Sequence, residues 1–477
     1  MKRDRKNKWS MIEDAPQKAL FFFALPMILG NLFQQFYNMA DSVIVGRFVG
    51  EDALAAVGAS YALTTVFVML AIGGGTGSSV VTSQYLGAGR YREMKTSVST
   101  ALLSFLGLSI LLALFGLGCC GLILHALKTP ENILAAATAY LKIYFCGLPF
   151  LFMYNILAAM FNAIGDSGTP LCLLIFSSLL NVALDILFVT RFGMGVTGVA
   201  VATVLAQGIS AVISFGLLLG RLKEYEETPQ MPEAGMVPEA AQRTEESDGK
   251  AQKEGRRLFD SAMLGRMIKV AIPTMLQQSI VSVGMLLVQS VVNGFGSSVL
   301  AGYTAGTRIE SICIVPMIAT GNAVATFTAQ NIGAGKAERI RQGYRAARCI
   351  VYGFAVLICV VLVLFKNQII GVFMEEGANA LAHSTGVAYL SFIAFFFVCI
   401  GLKATTDGVL RGSGDVVVFT AANLVNLAIR VTVANLCAPF WGVAAVWYAV
   451  PMGWTTNYLI SLVRYLSGKW KEKKLIR

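Results

Sequence analysis

A succession of apolar blocks constrains this chain more than any other feature, because each is about as long as the ~20 residues a helix needs to cross ~30 Å of hydrocarbon. Separated by charged or Gly/Pro-rich breaks, they fall near 17–45, 54–82, 95–122, 133–160, 169–190 and 196–220, then near 264–293, 299–327, 343–367, 382–408, 416–438 and 441–466. Composition agrees: 56% of the residues are hydrophobic and 14% charged, against a charged fraction of about 25% in soluble domains. The expected fold is an all-α integral membrane protein of twelve transmembrane helices. An even number of spans puts both termini on one side.

The formal charge of +11 does not point to nucleic acid, since the basic residues sit in short loops and at both ends. Arg90, Arg92 and Lys95 share a face with Lys336, Arg339, Arg341, Arg345 and Arg348, whereas the opposite loops carry Arg47, Lys128, Arg191 and Lys366 offset by Glu51, Asp52, Glu131, Glu375 and Glu376. The excess of Lys and Arg marks the cytoplasmic side, so both termini are expected there. After the basic stretch Met1–Lys8, the first apolar block runs into Asn31, Gln34, Gln35, Asn38 and Asp41 without a small-residue cleavage site, and so reads as a first membrane helix. The nine cysteines lie almost entirely in apolar blocks with no CxxC spacing, and read as small core residues.

The chain divides into an N-terminal six-helix lobe (1–220), a cytoplasmic linker (221–262) rich in Glu, Lys, Gln and Pro, and a C-terminal six-helix lobe (263–477). The lobes are internal repeats. Ala24-Leu25-Pro26 matches Ala271-Ile272-Pro273, Gln84-Tyr85-Leu86-Gly87-Ala88-Gly89-Arg90 matches Gln330-Asn331-Ile332-Gly333-Ala334-Gly335-Lys336, and Asn162-Ala163-Ile164-Gly165-Asp166 matches Arg411-Gly412-Ser413-Gly414-Asp415. The separation stays between 246 and 249 residues. Because each repeat has an even number of spans, the two are related by an axis along the membrane normal, with substrate expected between them.

The run Asn31-Leu32-Phe33-Gln34-Gln35-Phe36-Tyr37-Asn38-Met39-Ala40-Asp41-Ser42 with Gly46 and Gly50, the two Gly-Ala-Gly loops and Leu410-Arg411-Gly412-Ser413-Gly414-Asp415 together resemble the multidrug and toxic compound extrusion (MATE) family across nearly the whole chain. The seventh span has Gln277, Gln278 and Gln289 but no acid, which is closer to the branch of DNA-damage-inducible exporters. The resemblance implies a multi-pass transporter of the bacterial cytoplasmic membrane, working by alternating access between two lobes. It would export small, often cationic, organic molecules against sodium or protons, as a monomer with no cofactor beyond the coupling ion. A lipid or lipid-linked-sugar flippase of related architecture is the alternative.

A carboxylate inside a membrane helix costs ~2.5–3.5 kcal/mol on insertion scales, so each one asks for a reason. Asp41 lies ~35 Å along the first span and Asp185 ~25 Å along the fifth, both in the outer half of the membrane. Asn181 and Tyr37 each precede one of these acids by four residues, and Thr203 reaches a similar depth in the sixth span. Hard oxygen donors of this kind suit sodium, and paired carboxylates also suit a shared proton. The resemblance implies cation coupling at Asp41, Asn181, Asp185 and Thr203, which would be the sodium ligands in a sodium-coupled protein. Gln34, Tyr37, Tyr140, Met153 and Asn155 are candidate pocket residues, and Phe33, Phe36, Phe152, Tyr154 and Phe161, with Met39 and Met160, candidates for a forgiving drug cavity.

The second lobe carries a polar cluster, Glu310, Lys403, Asp407 and Arg430, in which Glu310 is expected to pair with Lys403 or Arg430. Gly73-Gly74-Gly75 lacks the Lys-Ser/Thr ending of a phosphate loop and reads as a close-packing or flexible site. No HExxH or serine-nucleophile motif favours a membrane enzyme, and His125 and His383 sit towards the outer ends. Limited proteolysis from the cytoplasmic face is expected to cut first within 221–262 while the two lobes stay associated; protection of that segment would contradict the assignment of a solvated linker.

Overall fold

Hydrocarbon offers no hydrogen bonds, so a spanning segment satisfies its backbone internally and folds as a helix. The computed structural model describes residues 10–49, 51–126, 129–225, 257–372 and 380–476. The first half contains α1 (Pro16–Phe48), α2 (Glu51–Gly87), α3 (Tyr91–Ala126), α4 (Glu131–Ala163), α5 (Gly168–Ile186) and α6 (Gly195–Glu224). The second contains α7 (Ser261–Asn293), α8 (Ser297–Gly333), α9 (Ala337–Val372), α10 (Ala380–Ser413, broken by a 3-10 turn at Ala394–Phe396), α11 (Val416–Trp441) and α12 (Ala444–Leu466). Among the described residues, 11 helices are long and apolar enough to cross a membrane. The remaining helix, α12, packs on α10 and α11 and buries Gly453, Asn457 and Ser461 there, which makes it less apolar than the rest. The all-helical, twelve-helix fold expected from the apolar blocks is the one observed.

Several helices overrun their apolar blocks, because polar turns continue the helix where another helix covers them. α2 extends through buried Gln84 to Gly87, and α8 through buried Gln330 and Asn331 to Gly333. The expected linker is shorter at both ends than 221–262. α6 continues to Glu224, and Asp260 caps α7 by accepting from the N–H groups of Ala262 (2.8 Å) and Met263 (3.0 Å). Its own N–H donates to Thr100 Oγ1 of α3 at 3.0 Å, fixing the start of α7 to the first half. Residues 226–256 of the expected linker lie outside the described residues.

The internal repeat reappears as packing. In the first half α2 packs on α3 and α4, α4 on α3 and α6, and α5 on α1 and α6. In the second, α8 packs on α9 and α10, α10 on α9 and α12, and α11 on α7 and α12. The halves also exchange their first helices: α1 lies against α8 and α9, and α7 against α2 and α3. Leu20, Phe23 and Ile28 of α1 thus share an apolar cluster with Val324 and Phe327 of α8. The glycine run packs closely against three helices, since a Cβ at Gly73, Gly74 or Gly75 would meet Met275 of α7, Phe105 of α3 or Ala159 of α4.

Each Gly-Ala-Gly loop combines two jobs. Gly89 (φ 72°) and Gly335 (φ 70°) adopt the left-handed conformation that ends α2 and α8, with Arg90 N–H donating to Tyr85 O at 3.1 Å and Lys336 N–H to Asn331 O at 2.8 Å. Gly87 and Gly333 instead let the two helices touch across the halves: a Cβ on Gly87 would lie 1.9 Å from Gln330 O, and one on Gly333 2.0 Å from Gln84 O. Around this crossing Gln84 Nε2 donates to Gly412 O at 3.2 Å, and Gln330 Nε2 donates to the corresponding Ala163 O at 2.9 Å. The halves are therefore joined, backbone to backbone, at the end of the bundle that carries the basic loops.

Because the obstructing atoms are backbone, Gly87→Ala or Gly333→Ala forces the helices apart, an overpacking cost of about 1–3 kcal/mol. Thermal stability of the purified protein in detergent is expected to fall by several degrees in either variant, while Gly107→Ala, whose Cβ would meet nothing within 4 Å, leaves it unchanged.

Candidate functional site

The first half gathers polar side chains from three helices. Asn181 and Asp185 stand one turn apart on the same face of α5, Tyr37 reaches them from α1, and Thr203 from α6. Asp185 is 0% exposed and Asn181 3%, so neither meets water or lipid. The Asn181 amide is best satisfied with Nδ2 turned to the carboxylate, because the reverse would set its carbonyl oxygen against a negative charge. Nδ2 then donates to Asp185 Oδ2 at 3.2 Å and to the Tyr37 hydroxyl, and Oδ1 accepts from the Thr203 N–H at 3.1 Å. Thr203 Oγ1 donates to Val199 O of its own helix at 3.0 Å.

Immediately beyond Asp185, α5 loosens into a π-helical turn at Leu187–Arg191. Such turns widen a helix locally and concentrate at functional positions. Asp41 lies one helical turn beyond Tyr37 on α1; its side chain is outside the described residues. The carboxylate, the phenol and the Thr203 hydroxyl surround an amide whose N–H now faces Asp185; a hard monovalent cation held there requires that amide to turn its oxygen inward, whereas Asp185 can take up a proton without it.

The other candidates are dispersed. Gln34 Nε2 donates to Asn38 Oδ1 along α1 at 3.0 Å, and Tyr140 and Met153 pack half-buried on the first-half core. Asn155 Nδ2 donates to Leu151 O of its own helix at 2.9 Å. Phe152, Met160 and Phe161 are fully buried in that core, which corrects their reading as cavity-lining residues. Cys146, Cys172 and Cys349 are exposed, which corrects their reading as core residues.

The second-half cluster is wired differently from expectation. Among the described residues Glu310 makes no ion pair; its carboxylate accepts from the Tyr389 hydroxyl, with the Arg430 guanidinium near enough to act on it electrostatically. Lys403 is taken by Asp407, one turn along α10, with Nζ 3.1 Å from Oδ2. Asn423 Nδ2 (3.3 Å) and Ser461 Oγ (2.6 Å) also donate to Asp407. The nearer partner on the same helix prevailed, and the neutral partners come from α11 and α12, which no spacing along one helix discloses.

The offsets between the repeats set the two halves against each other. Tyr37 and Asp41 correspond to Gly284 and Val288, and Asn181 and Asp185 to Arg430 and Ala434. Val288 and Ala434 are buried in the second-half apolar core. The acids of the first half thus have apolar counterparts, and a fixed guanidinium stands where the first half has a neutral amide. The paired motif acids have a structural role that the sequence showed only as repetition: Asp166 bonds Arg221 of α6 (3.1 Å), and Asp415 bonds Arg464 of α12 (2.5 Å).

This architecture has close relatives. A solved structure described as an outward-facing multidrug resistance MATE family transporter of the MOP superfamily superposes with a TM-score of 0.82 at 22% identity, covering 96% of each chain. The probable multidrug resistance protein YpnP of Bacillus subtilis is 30% identical over 460 residues, 96% of each chain. DNA damage-inducible protein F of Escherichia coli is 28% identical over 204 residues, 43% of this chain and 44% of its own. The MatE family profile matches twice, over residues 26–187 and 273–436, once in each repeat. The chain therefore belongs to the MatE family of multi-pass membrane transporters.

Proposed function

We propose that this transporter exports small organic molecules, cations among them, by alternating access, and that a sodium ion or proton at the Asp185 site drives the exchange. The observation that carries this reading is a fully buried carboxylate whose surroundings join α1, α5 and α6. An ionised group buried there carries a desolvation cost that a bound cation offsets. Arrival of a cation removes that cost and draws Tyr37, Asn181 and Thr203 around one centre. Its departure loosens the three helices, so occupancy and helix arrangement are linked.

The apolar counterparts Val288 and Ala434 support assigning coupling to the first lobe. Asp41, one turn from Tyr37, is the second carboxylate of this site in the proposal. The contacts at Gly87 and Gly333 support a state closed at the basic end, which the charge distribution assigns to the cytoplasm. One charge moved through 100 mV contributes ~2.3 kcal/mol, a roughly fifty-fold concentration ratio before the chemical gradient is added.

Asp185→Asn keeps the shape and removes the charge, so expression and thermal stability are expected near wild type while gradient-driven efflux collapses. The measurement is dye efflux from reconstituted vesicles under an imposed sodium or pH gradient, with Asp41→Asn tested in parallel. Wild-type rates in both variants would place coupling elsewhere.

A further inference from the structure

Beyond α12 the chain turns back beneath the crossing of α2 and α8. Gly468 (φ 71°) reverses it into a 3-10 turn at Lys469–Glu472. Trp470, 1% exposed, stacks on Tyr465 with ring centroids 5.7 Å apart and donates from Nε1 to Tyr465 O at 2.9 Å. Lys469, Lys471, Glu472, Lys473 and Lys474 are exposed, and the apolar residues of the segment turn the other way.

Leu475 lies against Gly414, whose added Cβ would come within 2.7 Å of its Cγ. It packs on a cluster of Val80 from α2, Val270 from α7, Ala329 from α8 and Val416 from α11, so it touches an apolar junction built from both lobes. Ile476, 1% exposed, belongs to the first-lobe core. The Leu475 N–H donates to Gln84 Oε1 at 3.0 Å, while Nε2 of the same amide donates to Gly412 O. One glutamine of α2 is thus held on one side by the end of α10 and on the other by the returning segment, both parts of the second lobe.

We infer that Lys469–Ile476 is a strap that holds the lobes shut at the basic end and has to withdraw from the first lobe in every transport cycle. The inference rests on the alternating-access reading above. Parting of α2 from α8 breaks the Gln84 contacts and pulls Leu475 and Ile476 out of their apolar seats, so the strap biases the transporter towards the state closed at this end. Its exposed lysines keep it soluble when it is released.

The test uses the full chain with native cysteines replaced. Val80→Cys and Leu475→Cys, bridged by a short reversible methanethiosulfonate cross-linker, are expected to abolish efflux, with recovery on reduction; efflux at the uncross-linked rate would overturn the strap. Independently of transport, Ser83→Cys reports access to the seam, since Ser83 is buried there and bonds Ala163 O. Leu475→Asp is expected to raise maleimide labelling of Ser83→Cys from the basic side several-fold, and Leu475→Ala to do so by less. Unchanged labelling in both would equally refute the inference. This readout stands even where Asp185→Asn efflux is normal, so a failure of the coupling site and a failure of the strap are told apart.

Discussion

Where α2 meets α8, no side chain separates the two backbones. Gly87 rests on Gln330 O, Gly333 on Gln84 O, and the two glutamine side chains reach past the contact to carbonyls at the ends of α10 and α4. Lipid gives helices no hydrophobic reason to associate, so small residues and buried amide hydrogen bonds carry the association. The exchange of α1 and α7 between the halves and the seat for Leu475 both depend on this crossing. Its near two-fold form follows from the repeat: each lobe brings the same motif to the same place and receives its copy in return.

The two lobes share that frame but not their interior chemistry. At corresponding positions one holds Asn181 and Asp185 and the other Arg430 and Ala434. A site whose charge is a carboxylate can be emptied and refilled by a mobile cation, whereas a tethered guanidinium cannot leave. The Lys403–Asp407 pair, with Asn423 and Ser461 completing the carboxylate's partners, likewise carries its cation on the chain. Exchange of ions is therefore a property of the first lobe in the proposed mechanism.

Much of this was legible in the residues. Apolar length located all twelve helices, with ends that differ by up to six residues where polar turns continue the helix, and three repeated landmarks disclosed the pairing pattern, because a repeat of sequence is a repeat of buried faces. The four-residue spacing of Asn181 and Asp185 placed them on one face of α5, since 3.6 residues per turn leaves no other choice. The two Gly-Ala-Gly loops were visible as motifs, although their spacing alone does not distinguish the glycine that permits close approach from the one that ends the helix.

What tertiary structure decided is everything that depends on which helix faces which. Sequence determined that the chain crosses a membrane as two related six-helix halves and that Asp185 needs a reason to be there, because helix length, periodicity and the cost of burying charge act along one segment. It could not determine that Tyr389 rather than a base meets Glu310, that Phe152 and Phe161 fill the core, that α5 opens into a π turn beyond Asp185, or that Leu475 returns to Gln84 of the other lobe. Apart from the π turn, those outcomes rest on contacts between residues tens to hundreds of positions apart. Only the packing of whole helices against one another, with each buried polar group competing for the nearest partner, selects among them.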